Sequence, residues 1–541
     1  MSSIFKKYID DISNQSTLNK GRLKVLFISL FIIFIILTAR LIFLSIYIKN
    51  DTKTIQMIYE AKGLKKRQYI VDTNGVILAS DIDLVNFYLN RELVSDPEET
   101  SRLIKKIIPE INEEKLYKKL IDTKSKAKYI LIRRNVTPNQ ETAIKKAGIL
   151  GFEFNNTIAR IYPHKNLFSH LIGYIDINRN GVAGIEREYD TYLKNPVDND
   201  VLELTIDIRI QSILREQLLK AIEKYSAKSA IGIVSEIKTG NILGIVTLPD
   251  FDPNQLYNVS QEILYDKATY GVYEMGSIFK IFTIANALNQ NIIREDEKFD
   301  ISQIIKYGNY EIKQEEYTKK FLTAEEILMR SSNVGAALIG LRIGNEKMSY
   351  FLNLLGMFDK VPANFPSLAK PLIPKTWRDI NTITVSYGHG IAVSPLHVVM
   401  AVGGIVNNGI LKTPRFTKID PSKEIKIITP ETSKIMNLYL RNAVRHGTGW
   451  RANILGYSVG GKTGSARLIR NGEYQENNIM ANFVGIFPMN DPHFIVYVMI
   501  ESPNVPELKD NLSGGTVAAP VAGRIIENIA PILNVVPYIE Q

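Results

Sequence analysis

The 541-residue sequence predicts an α+β protein in which an N-terminal transmembrane helix leads to a mixed segment and then to an antiparallel sheet packed between helices. Three observations predict this class: a long apolar run from residue 25, two apolar strands around a Lys-Thr-Gly turn, and three strand-like stretches before a final helix. We expect four parts: a cytoplasmic tail (1–24), a transmembrane helix (25–48), a pedestal domain (49–200) and a larger C-terminal domain (201–541).

The N-terminal apolar run predicts a membrane anchor. Residues 25–39 are all apolar or small, Arg40 interrupts them, and 41–48 continue the run. One helix over 25–48 would be about 36 Å long, which is enough to span a bilayer. Lysines ahead of it place the N-terminus in the cytoplasm and the rest outside. A cleaved signal peptide is the alternative, but no Ala-x-Ala-like site follows. Arg40 either snorkels to the outer interface or faces a partner helix.

Composition excludes several kinds of function. The chain has no cysteine, which excludes disulfides, thiolate catalysis and cysteine-based zinc sites. The six histidines show no ligand-pair spacing, so we expect neither a metal nor a cofactor. The net charge is +10, but acidic residues are interleaved throughout and form no basic stripe. We therefore expect no nucleic-acid partner.

The segment 49–200 shows strands and helices but no evident chemistry. Residues 69–79 predict a strand, a turn at Asp-Thr-Asn-Gly, and a second strand. Residues 98–120 have the periodic leucines and isoleucines of one or two amphipathic helices. We interpret His170 as a hydrogen-bonded structural residue. The segment is predicted to be a spacer or docking module.

The chemistry is predicted to centre on Ser277 and Lys280. On a helix, residues three apart lie on one face with their side chains in reach of each other. A serine hydroxyl becomes a nucleophile when a base removes its proton, and a lysine can be that base if burial lowers its pKa. Residues 281–288 are nearly all apolar, which predicts a buried helix. Gly276 allows the tight turn into that helix.

Spacing alone is weak support, because Ser-x-x-Lys also occurs at Ser3, Ser125, Ser235 and Ser367. Two later motifs single out Ser277. They are Ser-x-Asn, at Ser331 and Asn333, and Lys-Thr-Gly-Ser, at Lys462, Thr463, Gly464 and Ser465. The three motifs in this order are the signature of penicillin-recognising acyltransferases. An earlier Lys-Thr-Gly at 238–240 precedes Ser277 and is predicted to be only a hairpin turn.

With these motifs, the chain resembles a class B penicillin-binding protein, an inner-membrane-anchored peptidoglycan D,D-transpeptidase. The resemblance extends from the anchor to the C-terminus, and Ser331–Gly335 is more similar to the septal than to the elongation type. Further matching segments are Asp72-x-Asn74-Gly75, Arg160-x-Tyr162-Pro163, Gly181-x-x-Gly184-x-Glu186, Leu204–Asp207, Gly388-x-Gly390, Gly447–Gly449, Phe483–Gly485 and Ala519-Pro520. The chain departs from the family at Met275, where proline is common, and also at Gln68, Thr73 and His389.

The resemblance implies a mechanism and partners. Ser277, Lys280, Ser331, Asn333 and Lys462 would be catalytic, and Thr463, Gly464 and Ser465 would bind substrate. The substrate would be peptidoglycan stem peptides, with β-lactams as covalent inhibitors of the acyl-enzyme and no glycosyltransferase activity. Partners would be a polytopic lipid II polymerase and other division proteins at the inner membrane. An elongation-type transpeptidase, a non-catalytic division scaffold and a β-lactamase or β-lactam sensor are the alternatives.

Overall fold

The computed structural model describes residues 25, 28–40, 66–122, 127–195, 201–307, 310–313, 319–470, 473–505 and 512–538. The chain divides into two units, residues 1–66 and 67–541. In the first unit, residues 28–40 form helix α1. The predicted anchor also covers residues 26–27 and 41–48, which lie outside the described residues. Among the described helices, none combines the length and the apolar character needed to cross a membrane.

The second unit begins with a five-stranded sheet built around one long strand. Its strands are β1 (Ile70–Val71), β2 (Ile77–Asn90), β3 (Tyr129–Val136), β4 (Phe152–Ile161) and β5 (Leu202–Glu203). Strand β2 pairs antiparallel with β1, β3 and β4, and β1 pairs parallel with β5. The predicted strand–turn–strand is present, and Asp72 makes the turn: its Oδ1 accepts from the N–H groups of Asn74 and Val76, both at 2.8 Å.

Among the described residues, six α-helices belong to the same part of the chain as this sheet. They are α2 (Pro97–Ile107), α3 (Glu113–Ile121), α4 (Pro138–Lys146), α5 (Ser169–Ile172), α6 (Gly184–Glu188) and α7 (Asp190–Lys194). The amphipathic stretch 98–120 is two helices because Pro109 cannot continue α2 and Asn112 caps α3, accepting from Lys115 N–H. Helices α2, α3 and α4 share a hydrophobic core with β2 and β3, separate from the cores of the rest of the unit.

A buried network of charges ties the start of this unit to helix α6. Glu186 accepts from Arg67 at 2.7 Å and from Arg160 at 2.6 Å, and Arg160 also contacts Asp81 at 3.3 Å. The side chains of these four residues are at most 2% exposed. Arg67 donates further to Asp190 at 2.7 Å. Since each buried charge has an opposite partner, the network is electrostatically compensated.

The remainder of the unit is organised by a second, entirely antiparallel sheet of order β14–β15–β16–β6–β7. The strands are β6 (Ser229–Glu236), β7 (Ile242–Leu248), β14 (Gly460–Arg470), β15 (Glu473–Phe487) and β16 (Phe494–Glu501). The predicted hairpin at 230–248 is β6–β7. Alternate residues of β16 enter two different cores: Tyr497 and Met499 enter one, Val496 and Val498 the other. The sheet therefore lies between helical layers.

This part of the unit also contains ten α-helices and six short strands among the described residues. The helices are α8 (Ile208–Tyr225), α9 (Gln261–Leu264), α10 (Lys280–Asn289), α11 (Ala324–Arg330), α12 (Asn333–Ile343), α13 (Asn345–Leu354), α14 (Asp379–Val385), α15 (Pro395–Val406), α16 (Pro430–Arg445) and α17 (Ala519–Ile529). The short strands are β8 (Phe299–Asp300), β9 (Ile305–Tyr307), β10 (Tyr310–Ile312), β11 (Phe321–Leu322), β12 (Ile410–Lys412) and β13 (Glu424–Lys426). The predicted final helix is α17, preceded by a π-helical turn at Gly514–Ala518.

Candidate active site

Ser277 lies in a tight 3₁₀ turn, Gly276–Phe279, that runs directly into α10. Gly276 has φ +54°, and a Cβ there would lie 2.4 Å from the carbonyl oxygen of Ser465. Only glycine fits this conformation and this close approach. The Gly276 N–H donates to the Gly388 carbonyl at 3.1 Å. The backbone that carries Ser277 is thus wedged between strand β14 and the turn at Gly388.

Lys280 is the first residue of α10 and is completely buried. Its Nζ lies 2.9 Å from Ser277 Oγ, 2.6 Å from the Ser331 carbonyl oxygen and 2.7 Å from Asn333 Oδ1. All residues of α10 from Lys280 to Leu288 are buried, as the apolar sequence predicts. The amine is therefore removed from water and surrounded by hydrogen-bonding oxygens.

Two helix ends deliver Ser331 and Asn333 to this amine. A capping box at Thr323 starts α11, which ends at Ser331 in the left-handed conformation, φ 62°. Ser332 then caps α12 by accepting from Gly335 N–H at 3.1 Å, and Asn333 is the first residue of that helix. A left-handed conformation is uncommon for serine and is a feature of many functional sites. Here it lets the chain reverse between α11 and α12, and this turn places Ser331 and Asn333 beside Lys280.

Strand β14 brings in the third motif. Lys462 is fully buried, and its Nζ lies 3.0 Å from Ser331 Oγ and 3.3 Å from Thr463 Oγ1. Since Lys280 Nζ is 3.1 Å from the same Ser331 Oγ, this hydroxyl bridges the two amines. Ser465 Oγ is exposed and accepts from Gly514 N–H at 2.9 Å. A Cβ on Gly464 would lie 1.9 Å from Asn482 Oδ1 and 2.5 Å from the Met275 carbonyl oxygen, so this position requires glycine.

Burial shifts the titration of both lysines in the same direction. Desolvation, followed by the charge of Lys462, holds the pKa of Lys280 well below its usual value. Desolvation lowers the pKa of Lys462 to about 7. Two amines with depressed pKa values, bridged by one hydroxyl, are suited to accept and return protons.

These pKa values give a testable pH dependence of stability. Unfolded Lys462 titrates near pH 10.4, so between about pH 7 and pH 10 the unfolded state binds more protons than the folded state. The contribution of Lys462 to the free energy of unfolding therefore rises with pH, by up to about 1.4 kcal/mol per unit. We expect the wild type to gain stability relative to Lys462→Met between pH 7 and 9 in urea unfolding. A stability difference between the wild type and Lys462→Met that does not change between pH 7 and 9 would contradict the shift.

The predicted site residues fall in one cluster and along one strand. Ser277, Lys280, Ser331, Asn333 and Lys462 are joined by the contacts above, and Thr463, Gly464 and Ser465 follow Lys462 on β14. The second Lys-Thr-Gly, at 238–240, lies in the β6–β7 turn, where Lys238 pairs with Asp491 at 3.0 Å. His170 Nε2 contacts the Ile263 carbonyl oxygen at 2.7 Å, outside this cluster.

Sequence analysis gave no site role to three neighbours of the cluster, although Gly388 and Thr448 lie in segments that match the family. Thr448 Oγ1 lies 2.7 Å from Thr463 Oγ1, and the glycines on both sides of Thr448 were the one available sign of it. Gly388 holds the Gly276 backbone, and Glu274 Oε1 accepts from Gly390 N–H at 2.7 Å. Neither contact has a local sequence signal, because each joins segments more than 100 residues apart.

Two family models match the chain over separate ranges. The penicillin binding protein transpeptidase domain matches residues 230–527, and the penicillin-binding protein dimerisation domain matches residues 64–198. The first match covers more than half of the chain and contains all three motifs. The chain therefore belongs to the penicillin-binding protein family.

Relatives of known name narrow the family to its septal, FtsI-type class B members. A protein of Caulobacter vibrioides named "Probable peptidoglycan D,D-transpeptidase FtsI" is 31% identical, over 88% of this chain and 83% of its own. Stage V sporulation protein D of Bacillus subtilis is 30% identical over 96% and 87%, and the peptidoglycan D,D-transpeptidase FtsI of Escherichia coli K12 is 26% identical over 77% and 74%. The crystal structure of an Atopobium parvulum protein has the same fold, with a TM-score of 0.67 at 22% identity and coverage of 87% and 98%.

Proposed function

We propose that this protein is a peptidoglycan D,D-transpeptidase that cross-links stem peptides at the division septum through an acyl-enzyme on Ser277. One observation carries the proposal: a fully buried amine, Lys280 Nζ, lies 2.9 Å from the Ser277 hydroxyl. An isolated Ser-x-x-Lys pair on a solvated face would keep its lysine protonated. Here burial favours the neutral form, which is the form able to act as a base.

The contacts of Lys280 orient its lone pair toward Ser277. A neutral amine has two N–H groups and one lone pair. The Ser331 carbonyl oxygen and Asn333 Oδ1 carry no hydrogen, so they take the two N–H groups at 2.6 and 2.7 Å. The lone pair is then left for a hydroxyl proton, and Ser277 Oγ, at 2.9 Å, is nearer to it than Ser331 Oγ, at 3.1 Å. Lys280 accepts that proton as Ser277 Oγ attacks the carbonyl carbon of the penultimate D-Ala.

Ser331 provides the route by which the proton reaches the leaving group. Its hydroxyl lies 3.1 Å from Lys280 Nζ and 3.0 Å from Lys462 Nζ. When the peptide C–N bond breaks, the proton passes through Ser331 and Lys462 to the amine of the departing D-Ala. In the second half-reaction, the amine of an acceptor stem attacks the ester and forms the cross-linking amide. The ester bond between the acyl carbon and Ser277 Oγ breaks, and the proton lost by the acceptor amine reaches Ser277 Oγ along the same path in reverse.

Strand β14 is suited to hold the donor peptide. Strand β14 is at the edge of its sheet and Ser465 on it is exposed, so a stem peptide can lie alongside Gly464 and Ser465 as an added β-strand. Backbone N–H groups of Ser277 and Ser465 would stabilise the oxyanion. The Thr463 and Ser465 hydroxyls would bind the terminal carboxylate, with electrostatic help from Lys462, and Asn333 would bind the donor amide.

The proposal includes the setting of the reaction. We assign residues 1–24 to a cytoplasmic tail, 25–48 to a single membrane-spanning helix, 49–200 to the pedestal and 201–541 to the transpeptidase domain outside the inner membrane. The protein would lack glycosyltransferase activity and would act beside a polytopic lipid II polymerase and other division proteins. It needs no cofactor, because nucleophile, base and oxyanion donors all come from the chain.

Fluorescent penicillin labelling of membranes tests the function. Wild-type protein should be covalently labelled, and Ser277→Ala should not, because the attacking oxygen is gone. The matched control is Ser235→Ala, which removes the serine of another Ser-x-x-Lys, on β6. Retained labelling of Ser277→Ala would contradict the assignment. A fluorescent fusion that follows the side wall and is absent from midcell would contradict the septal role.

A further inference from the structure

Met275, the residue before the nucleophile turn, is held by its sulfur atom. The phenol of Tyr497 on β16 donates to Met275 Sδ at 3.2 Å, and Asn482 Nδ2 on β15 lies 4.0 Å from the same sulfur. All three residues have side chains closed off from solvent. A thioether therefore receives two polar groups in the interior of the domain.

Packing stability does not account for this arrangement. A thioether is a weak acceptor, yet among the described residues it is the one partner of the Tyr497 hydroxyl. Asn482 Oδ1 is buried and has no partner at all in the described part of the chain. Phenylalanine at 497 would bury the same ring without a poorly paired hydroxyl. The polar contacts to sulfur thus need a reason other than stability.

What the sulfur holds is the backbone that carries Ser277. On one side the Met275 carbonyl oxygen lies 2.5 Å from the position of a Cβ on Gly464. On the other side the Gly276 N–H is bonded to Gly388. The Met275 side chain is the third contact, and it reaches from this turn to two inner strands of the sheet, β15 and β16. Met275 has φ −91° and ψ −2°. Unlike proline, methionine has no ring that fixes φ, so this conformation depends on contacts with other residues.

We propose that Met275 is a positioning residue: its thioether, held by Tyr497 and Asn482, supplies the restraint on the nucleophile turn that a proline ring would supply at this position. Proline fixes φ near −65°, about 26° from the −91° of Met275 and in the same region of backbone conformation, and removes the N–H. The N–H of Met275 donates to no acceptor among the described residues, so a proline here would cost no hydrogen bond. The inference rests on the proposed acylation of Ser277.

The test is Tyr497→Phe in the full-length protein, with the acylation rate constant by a fluorescent penicillin and the melting temperature measured together. We expect acylation to slow about tenfold, the effect of one hydrogen bond that aligns the nucleophile. The loss should lie in the acylation step and not in penicillin binding, while the melting temperature stays equal or rises. The control Tyr439→Phe removes a phenol hydroxyl from the same core and should leave both quantities unchanged.

A second substitution separates positioning from a general structural effect. Met275→Pro added to Tyr497→Phe should recover most of the lost rate, because the ring fixes φ without the sulfur contact. The inference would be overturned if Tyr497→Phe were acylated at the wild-type rate, or if its slower rate were explained by loss of folded protein. It would also be overturned if the folded double variant were acylated no faster than Tyr497→Phe. Failure of the wild type to be labelled would instead overturn the proposed function.

Discussion

Replacing Lys280 with methionine is expected to slow acylation by a β-lactam at least about 10³-fold while the protein stays folded. Removal of a positioned general base typically costs 10²–10⁴-fold, and here no other neutral amine contacts the Ser277 hydroxyl among the described residues. The thermal midpoint should change little, because removing a fully buried amine offsets the hydrogen bonds that the Ser331 carbonyl oxygen and Asn333 Oδ1 lose. The measurements are stopped-flow labelling with a fluorescent penicillin and the thermal midpoint.

The control for this variant is Lys238→Met, in the Lys-Thr-Gly of the β6–β7 turn. Its amine pairs with Asp491 on the surface, and its loss should change neither rate nor midpoint by more than the error of the measurement. A Lys280→Met protein that is acylated within tenfold of the wild-type rate would show that another group removes the serine proton.

Replacing Glu186 with glutamine is expected to lower the free energy of unfolding by about 3–5 kcal/mol, the range found when one partner of a buried ion pair is removed. The carboxylate is completely buried and compensates two guanidinium groups, those of Arg67 and Arg160. Glutamine keeps the size but not the charge, so two buried cations lose their shared partner. Urea unfolding at neutral pH measures the loss.

A surface ion pair provides the comparison for Glu186. Glu114 pairs with Lys118 at 2.6 Å on α3, but both side chains are more than two-thirds exposed. Glu114→Gln should therefore change the free energy of unfolding far less than Glu186→Gln does. If Glu186→Gln were as mild as Glu114→Gln, the buried network would not be a principal source of stability in this part of the chain.

The parts of the site that were predictable from sequence have local signals. The apolar residues after Lys280 indicate a buried helix, and burial alone gives the direction of the lysine pKa. Gly276 indicates a tight turn, which its positive φ confirms. The β6–β7 hairpin follows from two apolar runs around Lys-Thr-Gly. In each case the sequence pattern and the local structure that it predicts lie in the same short segment.

The parts that were not predictable depend on contacts between distant segments. Arg67 and Glu186 are 119 residues apart, and nothing near either one indicates the other. The sulfur contact of Met275 needs Tyr497, 222 residues later. The sequence also ended the second strand of the first hairpin too early, at residue 79, whereas β2 extends to Asn90 because it pairs with both β3 and β4.

The most direct test is to locate the covalent adduct after reaction with benzylpenicillin. Trypsin releases residues 268–280 as one peptide, and Ser277 is the one serine it contains. Fragmentation mass spectrometry should place the mass of an intact penicillin, added across the opened lactam, on that serine. An adduct on any other residue, or an unmodified 268–280 peptide from protein that is fully folded, would contradict a nucleophilic Ser277 activated by Lys280.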